Sequence, residues 1–148
     1  MEEACTQAAI ATMPCMVREG IEVFKAYYAD DEDQKALIGA LIEEMKAGGG
    51  IPWRDVIILS AKGEHETFLN GLRTLGGVPI RPFDPTVPPD DEAIRYTTVR
   101  KFKGLERKAV ILVEMESASA DFFRRANYVG MTRANVFLAV FLSDKFKQ

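Results

Sequence analysis

The sequence predicts an α/β domain built on a doubly wound, mostly parallel sheet with helices on both faces. Two observations carry this. The stretches DVIILS, KAVILVEM and VFLAVFLS are continuous apolar runs with no in/out alternation, as strands buried on both faces require. Between strands lie segments with apolar residues at helical spacing, and such alternation of strand and helix builds parallel sheets.

The elements follow in order. IEVFKAYY, from Ile21, is rich in β-branched and aromatic residues and reads as a strand. Acidic residues at 30–33 then precede Leu37, Ile38, Leu41, Ile42 and Met45, which form one stripe on a helix. An Asp is available as its N-cap, and Gly48-Gly49-Gly50 ends it. DVIILS follows as a buried strand. Phe68, Leu69, Leu72 and Leu75 predict a second helix, stopped by Gly76-Gly77. Five of the seven prolines fall between Pro79 and Pro89, so 79–90 is expected to be an extended surface connection within one domain spanning 1–148. Strands are then predicted near IRYTTV and at KAVILVEM, a helix around 119–131, and a last strand at VFLAVFLS.

Composition excludes several functional classes. Hydrophobic residues make up 47% of the 148 residues and charged residues 28%, an ordinary balance for a globular fold. No apolar run approaches the roughly 18–20 residues that span a bilayer, so no membrane partner is expected. The acidic start MEEACTQAAIATM does not look like a signal peptide, which makes a cytoplasmic location the expectation. Cys5 and Cys15 are too few for a disulfide framework, and the single histidine, His65, gives neither a zinc site nor a convincing catalytic base. A net charge of −3 argues against coating nucleic acid by bulk charge. Any such contact needs a local patch, and Arg100, Lys101, Lys103, Arg107 and Lys108 stand together against the single acid Glu106.

Two stretches carry chemistry. Thr97-Thr98-Val99-Arg100-Lys101-Phe102-Lys103-Gly104-Leu105-Glu106 follows a strand, where threonine hydroxyls and cations are placed to hold phosphates. By itself it also fits a plain basic loop. Tyr128-Val129-Gly130-Met131-Thr132-Arg133-Ala134 precedes the last strand. A lone arginine there fits a surface ion pair, or the guanidinium that neutralises charge on a transferring phosphoryl group.

In this order, with an apolar strand between them, the two stretches resemble motifs V and VI of UvrD/Rep-like superfamily 1 DNA helicases. The resemblance implies a RecA-like (P-loop NTPase-like) fold and the second, C-terminal half of a two-domain motor. Arg133 is similar to the motif VI arginine that reaches the γ-phosphate, the catalytic position. Gly104 and Glu106 fall where motif V meets the nucleotide, with the Glu facing the ribose. Thr98, Arg100 and Lys101 fall on the part of motif V that faces single-stranded DNA. Lys103 matches a family lysine with a local structural or phosphate role, and Tyr128 is expected to pack and orient the segment carrying Arg133. Two departures are visible. Arg100 stands where the family often has His, and there is no room for the helical 2B-type insertion of larger relatives. The loop after DVIILS, with Ser60 and Lys62, faces DNA by analogy, and a plain solvated loop fits equally.

Such a motor clamps ATP between two halves, the first supplying a GxxxxGK[ST] loop and acidic Mg²⁺ ligands. No GxxxxGK[ST] occurs in these 148 residues. The expectation is therefore a domain of an ATP-dependent helicase whose ATP and Mg²⁺ are held together with an N-terminal RecA-like half of the same parent, and which is inactive alone. No metal site is expected in this chain. The other readings are a non-catalytic nucleic-acid-binding or regulatory module derived from the same fold, and an unrelated α/β nucleotide-binding protein.

Overall fold

A computed structural model describes residues 22–102, 105–115 and 134–144. Among the described residues, seven strands form one sheet: β1 (Glu22–Tyr28), β2 (Val56–Ser60), β3 (Thr74–Leu75), β4 (Val78–Pro82), β5 (Ile94–Thr98), β6 (Arg107–Met115) and β7 (Ala134–Ser143). Their order across the sheet is β1-β7-β6-β2-β5-β4-β3, and every pairing is parallel except β3 with β4. The chain steps from β1 past two strands to β2, and later crosses β2 to pass from β5 to β6. Parallel neighbours of this kind need crossover connections.

Side-chain alternation splits the apolar runs between two cores. Ile57, Leu59, Val110, Leu112, Leu138 and Val140 face one side, with Val99, Phe102 and Ala61 packed among them. Val56, Ile58, Ala109, Ile111, Val113, Ala139 and Phe141 face the other, where helix α1 (Asp31–Gly48) lays Ile38, Leu41 and Ile42. All five residues of β2 are buried, as the unbroken apolar run predicted. The helix expected around 119–131 lies outside the described residues, so α1 is the helical cover seen here.

Helix α1 starts and stops where the sequence says. The Asp30 carboxylate accepts a 2.8 Å hydrogen bond from the Asp33 N–H, and Asp31, Glu32 and Asp33 place negative charge at the positive end of the helix dipole. Gly49 closes it in the left-handed region at φ 65°, its N–H bonded to Met45 O at 3.0 Å.

The second predicted helix does not form. Phe68–Gly71 is a short 3-10 turn, and Thr74–Leu75 then pairs with β4 as a hairpin. Gly76 and Gly77 have φ of 58° and 79°, which suits the two-residue hairpin loop that needs positive φ at both positions. The apolar stripe itself is real: Phe68, Leu69, Leu72 and Leu75 all pack on the α1 side of the sheet. The surface connection is also shorter than expected, because Val78–Pro82 is strand and the exposed stretch begins after it. Both prolines of β4 fall where no ladder N–H is needed. Ile80 N–H points to Arg73 O and Phe83 N–H to Tyr96 O. Pro79 therefore precedes the first β4–β5 pair, while Pro82 faces beyond the end of two-residue β3.

Candidate nucleic-acid interface

The carboxyl ends of β2, β5 and β6 come level, since Ser60 is the register partner of both Thr98 and Val113. Ligands of open parallel sheets bind along this edge. Beyond it the chain turns sharply after β5. Phe102 N–H donates to Thr98 O at 3.2 Å, Lys101 N–H donates to Thr98 Oγ1 at 3.2 Å, and Val99 N–H donates to Ser60 O at 3.0 Å. Val99 and Phe102 are 2% and 0% exposed, so they pin the turn into the core. Arg100 and Lys101, between them, are left exposed to solvent. The sequence Val-Arg-Lys-Phe thus displays two cations on a rigid turn.

Opposite this turn runs the loop after β2, and a groove of about 360 Å³ lies between them. Ser60, Lys62, Glu64, Thr98, Arg100 and Lys101 line it. Arg100 has no ion-pair partner among the described residues. Lys101 is paired with the Glu64 carboxylate, which its hydrogen bond and charge hold below the ordinary carboxylate range. Thr98 is 7% exposed, so its hydroxyl serves the turn as much as the groove.

Sequence reasoning passed over Glu114. It is 1% exposed, inside the apolar run of β6, with φ of 63° in the left-handed region. A β-bulge between Leu112 and Met115 opposite β7 accompanies that backbone. Its carboxylate accepts from Ser60 Oγ at 2.7 Å, from Thr67 Oγ1 and from Phe68 N–H at 3.3 Å, with Lys62 Nζ at 3.8 Å. Its own N–H donates to Gln34 Oε1 of α1 at 2.8 Å. Burial nonetheless pushes the carboxyl above its ordinary value, and those hydrogen bonds only offset part of the rise. The one signal available was a lone acid in an otherwise apolar strand.

Glu106 stands apart from this cluster. It is exposed and precedes β6, so it lies at the amino edge of the sheet. The next residue, Arg107, lays its guanidinium over Phe83 and Phe102 at 5.8 and 5.3 Å from the ring centroids, and the rings meet edge to face at 5.6 Å. Gly104, Lys103, Tyr128 and Arg133 lie outside the described residues. Ala134, which follows Arg133 in the chain, is the register partner of Arg107. The structure therefore groups Thr98, Arg100 and Lys101 at one edge and keeps Glu106 at the other. No helix among the described residues is long and apolar enough to cross a membrane.

Residues 93–140 match the family model described as the UvrD-like helicase C-terminal domain. The match takes in both stretches that carried the resemblance and the strand between them, and bears the resemblance out. No curated protein matches the chain.

Proposed function

Given a UvrD-like helicase C-terminal segment at residues 93–140, we propose that the chain is the second motor half of an ATP-dependent superfamily 1 DNA helicase or translocase. In this reading Thr98, Arg100 and Lys101 carry part of a single-stranded DNA path. Gly104 and Glu106 meet the nucleotide, Arg133 supplies the guanidinium that neutralises the transferring phosphoryl group, and the fold is RecA-like. ATP and Mg²⁺ belong to the complete motor, whose other half provides the phosphate loop and the metal ligands. The exposed Glu106 carboxylate is chemically able to accept from a ribose hydroxyl.

One observation carries the DNA side: two cations held on a turn whose flanking residues are buried, over a groove at the carboxyl edge. A pinned turn loses little further backbone entropy on meeting a phosphate, so Arg100 and Lys101 are presented from a fixed backbone. The nucleotide side is supported by the register pairing of Arg107 with Ala134, the chain neighbours of Glu106 and Arg133.

The test is a salt titration of single-strand binding by the chain and its Arg100→Ala/Lys101→Ala variant. Backbone contacts release condensed counterions, so the variant should bind every sequence more weakly. Its plot of log affinity against log salt should be shallower by about 0.7 per lost contact. Parallel plots would remove the turn from the DNA path. A non-catalytic binding module keeps the same DNA surface, and both readings allow the lack of GxxxxGK[ST] in these residues. Coding sequence for that motif upstream in the same reading frame would decide for the motor.

A further inference from the structure

The Lys101–Glu64 pair borders two cavities at once. The first is the groove above, and the second, of about 170 Å³, lies on the side of Phe83, Tyr96 and Asn70. Glu64, Thr98 and Lys101 line both. Glu64 belongs to the loop after β2 and Lys101 to the turn after β5, 37 residues later, so the pair bridges the two walls of the groove. Both side chains are 53% exposed, so neither is locked in place by packing. In the first groove Lys62, Arg100 and Lys101 face the carboxylates Glu64 and Glu66, so nearly balanced charge meets any incoming anion.

We propose that Glu64 is a built-in competitor for the strand's phosphate, a carboxylate latch that must release Lys101 before the nucleic-acid backbone can occupy the groove. The proposal rests on the single-strand reading of Arg100 and Lys101. An ammonium is a point charge that a carboxylate oxygen and a phosphate oxygen occupy in the same way. Release is easy, because an exposed pair of this kind is weak. The Glu64 carbonyl is held separately, accepting from Asn70 Nδ2 at 2.7 Å, so the loop keeps its anchor when the carboxylate swings away. The latch therefore lowers affinity and salt sensitivity together: Lys101 sheds its partner, and the freed carboxylate takes up a cation from solution.

The experiment measures binding of a fluorescein-labelled oligothymidylate to the full chain across a salt series. Glu64→Gln should tighten binding about threefold at low salt, as loss of an exposed ion-pair competitor does. It should also steepen the salt plot by up to about 0.7, the contribution of one fully engaged phosphate. Glu66→Gln removes a carboxylate from the same groove and should give a clearly smaller gain. In a Lys101→Ala background the gain from Glu64→Gln should vanish. Equal gains from Glu64→Gln and Glu66→Gln, or a gain that survives Lys101→Ala, would overturn the latch and leave only the mean charge of the groove. Unchanged binding in Glu64→Gln overturns the latch while the DNA path stands. No binding by any form overturns the path itself, and the latch with it.

Discussion

Among single residues, Glu114 shows most clearly how burial and hydrogen bonding compete. It accepts from two hydroxyls and a backbone N–H, yet burial still favours its neutral form. A carboxyl whose folded pKa is raised stabilises the fold fully below its unfolded pKa, and that stability is lost as pH rises through the folded value. Urea midpoints of the wild type should therefore fall, relative to Glu114→Gln, as pH climbs from the ordinary carboxylate range through the raised one. Two curves that stay parallel over that window would show Glu114 to titrate normally. Sequence reading missed this residue because nothing in VILVEM distinguishes an acid buried at a bulge from one at a strand end. It found Arg100 and Lys101 because Thr98 before them and Lys103-Gly104-Leu105-Glu106 after them spell the motif.

At the level of elements, the hairpin β3–β4 marks where local pattern misled. Apolar residues at 68, 69, 72 and 75 suit a helix, and a following Gly-Gly suits its stop. The same residues suit a 3-10 turn and a hairpin, provided both glycines take positive φ, and packing on α1 selects the second arrangement. Gly76 is the decisive position. A Cβ there would stand 2.6 Å from Gly39 O and 3.0 Å from Ile42 Cβ, both on α1. Gly77 has only Lys46 Nζ near, at 3.7 Å. Gly77→Ala should thus cost about 1–2 kcal/mol for its backbone conformation alone. Gly76→Ala should cost clearly more, since the turn must also lift off the helix. Chemical denaturation of the two variants checks this, and equal losses would mean that the close approach to α1 does not matter. By contrast β1, α1, β2, β5, β6 and β7 were legible, because continuous apolar runs and helix caps are local signals that tertiary packing here reinforces.

For the whole molecule, the sheet separates two parts of one motif that lie close in sequence. Thr98 is level with Val113, while Glu106 precedes Arg107 at the start of β6, so they sit about 20 Å apart along the strand direction. The motif order was readable from sequence, but this division was not, since it depends on β6 running parallel to β2 and so starting at the opposite edge. The same scale governs activity. Positioning and charge stabilisation supply nearly all of phosphoryl-transfer catalysis, and the pattern GxxxxGK[ST] does not occur in these 148 residues. The purified chain should release no phosphate from ATP above background, with or without single-stranded DNA. Turnover of about one per second, typical of a competent phosphoryl-transfer enzyme, that persisted through repurification would overturn the two-half reading.

The turn after β5 also has a mechanical meaning. Phe102, fully buried and flanked by the Arg107 guanidinium, holds the middle of a segment whose ends reach opposite edges of the sheet. With Val99 in the same core, it anchors the turn at two points, so that a pull on Arg100 or Lys101 is carried into the sheet rather than taken up by the loop.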